Sequence, residues 1–169
     1  RAVAVFSAGN AHEAHGPALA PDIDDRIGQS IAIRVCERTG ARYLGHVEGE
    51  TDGIGLLARR WSPGVVTPDA YLDGLVAQVR ARLERLDGGA APGRPRIVAF
   101  VSGHGGNRVI GERATELAQR LGVELVLYIP ALRVRRGEGP PAAPQHAGAE
   151  EHAAALYLWP GCIDADAID

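Results

Sequence analysis

Two short stretches of the sequence carry residue types that could bind a metal. The stretch "IVAFVSGHGGN" runs five apolar residues into a glycine loop that holds a single histidine, His104. The stretch "HEAHGPALAPDIDD" carries Glu13, His15 and Asp24, and Glu13 and His15 point to the same side of an extended backbone because they are two positions apart. Carboxylates and imidazoles are ligands that suit Zn²⁺, Mn²⁺ or Fe²⁺. The pattern therefore predicts a metal centre, if the two stretches meet.

A third stretch, "HAGAEEH", offers further groups of the same kind. It contains His146, Glu150, Glu151 and His152. The two glycines after His104 would let a metal or substrate approach the backbone without meeting a Cβ atom. A histidine beside a tight strand-to-helix turn can also have a purely structural role, so spacing alone leaves both interpretations open.

The elements that must position these residues alternate between strand and helix. Apolar runs predict strands at residues 2–6, 97–101 and 123–130. Amphipathic periodicity and caps predict helices at residues 25–40, ending at Gly40; 67–89, with Thr67 as N-cap and Pro68 at the first position; 107–121, capped by Asn107; and 149–158, before Pro160. Residues 41–66 and 133–145 are expected to be rich in loops.

This order predicts a single-domain α/β fold over residues 1–169, with a mostly parallel sheet flanked by helices. Residues before Arg1 are expected to be missing, because the apolar run starts at once. In such sheets ligands bind in the crevice beyond the carboxyl ends of the strands. The glycine loop and the loop after the first strand are both expected there.

Composition excludes several function classes. The 169 residues are 46% hydrophobic and 23% charged with a net charge of −3, which favours neither nucleic acid nor a membrane surface as partner. The two cysteines, Cys36 and Cys162, have no metal-binding spacing and suit a reduced, cytoplasmic setting. All 18 basic residues are arginine, so lysine-based covalent catalysis is excluded within this sequence.

Four segments together resemble the creatininase (creatinine amidohydrolase) family. "EAHGPALAPDID" resembles its E-x-H-G-P…D motif and "SGHGGN" its N-G-H-G-G-N loop. "SPGVVTPDAYLD" is similar to its P-G-T-x-S-L-x-P-E-T-Y segment, and "HAGAEEHAAALYLWPGCID" to its H-A-G-E-x-E-T-S ending. The segments occur in family order and span residues 9 to about 165. Departures at Ala18, Ser102, Ala149 and His152 leave the metal-binding positions intact but bear on the substrate.

The resemblance implies a pair of divalent metals (Zn²⁺, Mn²⁺ or Fe²⁺) in each subunit. Glu13 and His104 would hold one metal, His15 the other, and Asp24 would bridge them. Creatininase takes a further carboxylate from the position that is Gly106 here, so Glu151 is expected to replace it, as a ligand or as an acid–base group. His146 would be the general acid that protonates the leaving nitrogen.

The resemblance therefore implies a metal-dependent amidohydrolase that cleaves a non-peptide C–N bond in a small amide, lactam or formamide. Two alternatives stay open. One is a metallopeptidase that trims a small modified peptide, and the other is a non-catalytic binding or structural member of the family. The resemblance also implies a homo-oligomer, with a hexamer as one form.

Overall fold

In the computed structural model the described residues are 2–87, 94–132 and 146–167. Their strands are β1 (Val3–Ala8), β2 (Arg42–Val47), β3 (Glu50–Thr51), β4 (Val65–Val66), β5 (Ile97–Ser102) and β6 (Leu125–Pro130). Their helices are α1 (Ile23–Thr39), α2 (Pro68–Asp87), α3 (Val109–Glu112), α4 (Ala114–Leu121) and α5 (Ala149–Leu158). Short 3₁₀ turns lie at Gly55–Arg60, Gly105–Arg108, Pro160–Cys162 and Ala165–Ala167.

The main sheet is parallel and has the strand order β2-β1-β5-β6. From β1 the chain first moves outward to β2 and later returns to the opposite side of β1 to form β5. The carboxyl ends of β1 and β5 therefore flank the point where the strand order reverses, which is where open α/β sheets bind ligands. Strands β3 and β4 form a separate two-stranded parallel sheet.

Apolar side chains cover both faces of the central strands. On one face Phe6 and Phe100, whose rings stack 5.7 Å apart, pack with α2 and α4. On the other face Val5, Ala99 and Val101 pack against α1, which in turn contacts α5. The predicted α/β class, with a mostly parallel sheet flanked by helices, is confirmed. The two loops that follow β1 and β5 are thus anchored on strands buried on both sides.

Three of the four predicted helices match the observed ones closely because their end signals are local, whereas the helix predicted at residues 107–121 is divided at Arg113 into α3 and α4. Helix α1 ends at Gly40, whose φ of 74° is left-handed and so favours glycine. Helix α2 begins at Pro68, and the Thr67 hydroxyl accepts a 3.4 Å hydrogen bond from the Ala70 amide. Helix α5 spans Ala149–Leu158, as its sequence predicts.

Two local predictions were wrong. Residues 41–66 contain the edge strand β2 and both strands of the small sheet, although loops were expected. Strand β2 is only half-buried and carries Gly45 with a φ of 104°, so it lacks the apolar run that marks buried strands. Asn107 does not cap a helix: it is fully buried, and its side-chain amide donates 2.9 Å to the Gly9 carbonyl.

Two further sequence expectations concern membrane-spanning helices and the segment that follows β6. No helix in the described ranges combines the length and apolar character needed to cross a bilayer. The arginine- and proline-rich segment 133–145, expected to form a loop, lies outside the described residues.

Helix α1 packs directly against the backbone at the end of β1 through Gly28. A Cβ atom there would lie 2.6 Å from the Ala8 carbonyl oxygen and 3.1 Å from the Gly103 amide nitrogen. We expect Gly28→Ala to lower the free energy of unfolding by about 1–3 kcal/mol, because the helix must move away from the backbone. Urea unfolding measures this loss.

The matched control is Gly74→Ala on α2, where a Cβ atom meets nothing within 4 Å. This variant should be neutral or gain roughly 0.5–1 kcal/mol from helix propensity. Equal unfolding midpoints for the two variants would contradict the close contact of α1 with β1.

Candidate metal centre

The site lies where three separated parts of the chain meet beyond the carboxyl ends of β1 and β5. The loop after β1 supplies Glu13 and His15, and the first turn of α1 supplies Asp24. The loop after β5 supplies His104, and the first turn of α5 supplies Glu151. All five residues named by the sequence analysis as metal ligands are therefore neighbours in the structure.

Glu13, Asp24 and His104 form the first of three groups that could hold a metal. His104 Nδ1 lies 2.9 Å from Glu13 Oε2 and 3.0 Å from Asp24 Oδ2. All three side chains are at least 94% buried. One imidazole nitrogen and two carboxylates thus converge on one point away from bulk water.

His15, Asp24 and Glu151 form the second group. His15 Nε2 lies 3.4 Å from the other carboxylate oxygen of Asp24, Oδ1. Each Asp24 oxygen therefore faces a different histidine. This geometry lets a single carboxylate serve two adjacent positions.

His146 lies at the open side of the same cluster. Its Nδ1 is 3.6 Å from Glu13 Oε1, its ring centroid is 4.4 Å from that of His15, and its side chain is 47% exposed. Glu13, His15 and His146 form the third group of possible ligands. Because His146 faces the cavity rather than the buried interior, it is better placed to meet a substrate than the other two histidines.

A backbone carbonyl sets the orientation of each of the three histidines. His15 Nδ1 donates to Glu13 O at 2.9 Å, and His104 Nε2 donates to Thr51 O at 2.9 Å. His146 Nε2 donates to Ala14 O at 2.7 Å. Since a carbonyl only accepts, the second nitrogen of each ring is the one that points toward the cluster, and its lone pair can bind a metal when that nitrogen carries no proton.

The electrostatics of the cluster favour a positive charge. Burial opposes the charged form of His104, but hydrogen bonds to Asp24 and Glu13 outweigh it and raise its pKa to about 10. Burial likewise disfavours the Asp24 carboxylate, yet His104 and His15 bring its pKa below the usual value. Burial, followed by the charge of Asp24, raises the pKa of Glu151. The carboxylates of Glu13 and Asp24 therefore stabilise a positive charge beside them, here on His104.

Two buried polar atoms at the centre, His15 Nε2 and Glu151 Oε2, make no hydrogen bond within the described part of the chain. Such atoms normally find a partner, because leaving them unpaired costs about 1–3 kcal/mol. Both belong to the second group of possible ligands. A donor set of two imidazoles and three carboxylates with unpaired atoms facing one another fits divalent metals.

The glycines around His104 have a different role from the expected one. A Cβ atom at Gly103 would collide with the backbone of Asp24, and one at Gly106 with the carbonyl of Thr51. Only Gly105 faces open space. Two of these three glycines therefore allow backbone segments to pack together and bring His104 to Asp24, instead of making room for substrate.

Sequence reasoning missed the residues that hold the ligands in place. Asn10 Nδ2 lies 3.3 Å from Glu13 Oε2 and donates to Ser62 Oγ at 2.9 Å, and both polar residues are 1% exposed. Thr51 holds His104 in place through its main-chain carbonyl. A polar residue three positions before Glu13 was the one available signal, and it is too common to identify such a role.

The cluster opens into a cavity of about 730 Å³. Its walls include Glu13, Asp24, His104, His146 and Glu151, together with aromatic, apolar and charged side chains: Trp61, Ile54, Leu132, Tyr128 and Arg108. This volume suits a small-molecule ligand.

Sequence comparison shows similarity to an archaeal enzyme. The chain is 30% identical over 158 residues to the 2-amino-5-formylamino-6-ribosylaminopyrimidin-4(3H)-one 5'-monophosphate deformylase of Methanothermobacter marburgensis. The match covers 92% of this chain but 59% of the relative, so the chain spans about three fifths of the relative's length. No protein-family model matches the sequence.

Solved creatininase structures share the fold. A manganese form of creatininase superposes with a TM-score of 0.67 at 22% identity, covering 98% of this chain and 68% of that one. A creatininase variant of the zinc–zinc type gives a TM-score of 0.64 at 22% identity, with 96% and 67% covered. The predicted resemblance to the creatininase family is confirmed.

Proposed function

Because this chain has the creatininase fold and is similar in sequence to a deformylase, we propose that it is a metal-dependent amidohydrolase. It acts on a small molecule and cleaves a non-peptide C–N bond. Residues 1–169 act as one metallohydrolase domain. A formamide is the substrate class that the deformylase relative favours.

One observation supports the proposal most directly: two groups of possible metal ligands share Asp24. Glu13, Asp24 and His104 would hold one divalent ion, and His15, Asp24 and Glu151 a second. Zn²⁺ and Mn²⁺ are the first candidates, since similar folds carry them. A pair of neighbouring metals, which would stabilise both the attacking and the leaving atoms, is typical of hydrolytic centres.

When bound, such metals would polarise a carbonyl and lower the pKa of a water molecule to about 7, which would provide a nucleophile at neutral pH. The protein side chains supply the remaining requirements. The Thr51 and Glu13 carbonyls orient His104 and His15, and Asn10 holds Glu13. This preorganisation avoids reorganising the ligands during the reaction.

His146 is the proposed general acid. Its Nε2–H is committed to the Ala14 carbonyl, so its Nδ1 is the atom that faces the cluster and the cavity. A proton on Nδ1 can pass to the nitrogen that leaves as the C–N bond breaks. Without that proton the leaving group would depart as a poorly stabilised amide anion. Glu151 is a ligand in this scheme rather than the acid.

The alternatives have less support. A peptidase needs room for a peptide on both sides of the scissile bond, and the deformylase relative acts on a formylamino group of a small molecule. A non-catalytic role would not require five possible ligands and a half-exposed histidine around one cavity. Amide hydrolysis therefore explains more of the site.

Metal analysis combined with a hydrolysis screen tests the function. Protein loaded with Mn²⁺ or Zn²⁺ should contain about two equivalents of metal and release formate from aromatic formamides. A chelator should abolish the release, and added metal should restore it. The screen includes lactams and short peptides as the rival substrate classes. A fully metallated protein that hydrolyses none of these classes would refute the proposal.

A further inference from the structure

Arg108 stands apart from the acidic side chains that surround it in the cavity. Of the described residues that line the cavity, it is the one arginine, whereas Glu13, Asp24, Asp52, Glu150 and Glu151 are carboxylic. It is the final residue of the 3₁₀ turn that follows His104. The cavity thus has a metal-binding side and a guanidinium side.

The backbone of Arg108 is held firmly by its neighbours. The preceding residue, Asn107, is fully buried and bonds to the Gly9 carbonyl, which joins the turn to the end of β1. The guanidinium itself rests on the backbone of Gly53, where a Cβ atom would lie 2.7 Å from Nη2. A residue with a side chain at position 53 would displace the guanidinium from this place.

The charge of Arg108 is only weakly compensated. Its Nε donates to Glu112 Oε1 at 3.1 Å, but these side chains are 63% and 60% exposed. Exposed pairs of this i,i+4 type contribute little. The Nη atoms make no ion pair with a carboxylate in the described part of the chain. A guanidinium has five N–H donors, so most of its capacity is unused.

Tyr128 borders the same part of the cavity. Burial raises the pKa of its hydroxyl, whereas a hydrogen bond with Ser102 and then the nearby charge of Arg108 oppose that rise. The hydroxyl also donates a long hydrogen bond of 3.4 Å to the His104 carbonyl. A phenol and a guanidinium fork therefore line one cavity, an arrangement suited to an oxyanion.

We propose that Arg108 binds an anionic group, a carboxylate or a phosphate monoester, on the part of the substrate that lies away from the scissile bond. The position of the scissile bond in this inference rests on the proposed amidohydrolase function. The indole of Trp61, 39% exposed, lines the same cavity and provides a flat apolar wall. A substrate with a planar ring that carries both an amide-type nitrogen and an acidic group suits a cavity lined by this guanidinium and this indole.

Three formamides on one aromatic ring test the inference: formanilide, 3-formamidobenzoate and 3-formamidophenyl phosphate. With the metal-loaded protein, we expect kcat/KM to be at least about 10-fold higher for an anionic compound than for neutral formanilide. Arg108→Gln should raise KM for that anion by about 10- to 100-fold, the usual range for a lost charge-assisted hydrogen bond, with kcat unchanged. Formanilide hydrolysis should not change.

Arg85→Gln is the matched control, because Arg85 is an exposed arginine on α2 that does not line the cavity. It should leave all three substrates unaffected. The benzoate and phosphate arms identify which anion the guanidinium prefers. Equal losses for all three substrates in Arg108→Gln would show a structural role and overturn the inference, as would no loss for either anion.

Failure of the proposed function has a different signature. If the wild-type protein hydrolyses none of the three compounds, calorimetric titration of the metal-loaded protein with the two anions still decides the inference. Affinity at least about 10-fold weaker in Arg108→Gln than in wild type supports it. Equal affinity in both proteins refutes it.

Discussion

Replacing Asp24 with asparagine is expected to remove both metals and to lower kcat/KM by about 10³-fold or more. Asparagine keeps the size of the side chain but loses the negative charge and one of the two acceptor oxygens. Those oxygens face His104 at 3.0 Å and His15 at 3.4 Å. Metal content by mass spectrometry and formamide hydrolysis measure the two effects.

The neighbouring residue provides a close control. The Asp25 carboxylate lies 3.3 Å from His46 and belongs to none of the three possible ligand groups. Asp25→Asn should therefore retain about two equivalents of metal. Glu151→Gln should lose only one of the two, because Glu151 belongs to a single group. Full metal occupancy in Asp24→Asn would contradict the bridged arrangement.

His146→Gln is expected to lower kcat by about 10²- to 10⁴-fold while both metals stay bound. Glutamine can still donate a hydrogen bond but cannot transfer a proton to the departing nitrogen. The loss should be largest for formamides of basic alkyl amines and smaller for activated anilides, since good leaving groups need less protonation. Steady-state kinetics on a leaving-group series measures this dependence.

His152→Gln is the comparison variant for this experiment. His152 Nδ1 bonds to the carbonyl of Gly148, the N-cap residue of α5, and the side chain does not line the cavity. Its replacement should leave the kinetics unchanged. If His146→Gln loses a metal instead, then His146 acts as a ligand with Glu13 and His15, and the general-acid role is wrong.

Much of the fold was predictable because its signals are local. The glycine after α1, the threonine and proline before α2, and the apolar runs of β1, β5 and β6 each act within a few residues. Strand β2 was not predicted because an edge strand with polar and glycine residues has no apolar run. The homo-oligomer and the cytoplasmic location stay predictions.

The candidate ligands were also predictable as residue types. Glu13, His15, Asp24, His104 and Glu151 were named from chemistry and from the resemblance of their motifs, and the structure brings all five together. The supporting residues were not. Asn10 bonds directly to Glu13 and is itself held by Ser62, which lies 52 positions from Asn10, and the Thr51 carbonyl acts on a histidine 53 positions away.

The sequence by itself thus determined which side chains are available and which segments become strands and helices. Only the tertiary structure decided that Asp24 faces His104 across 80 positions of chain and faces His15 with its other oxygen. It also decided that two glycines serve backbone contact and that Arg108 borders the cavity. The physical reason is that ligand chemistry belongs to single residues, whereas distances between remote atoms depend on sheet register and helix packing. Backbone carbonyls orient His15, His104 and His146. Because every residue has the same carbonyl, a sequence does not show which carbonyls have this role.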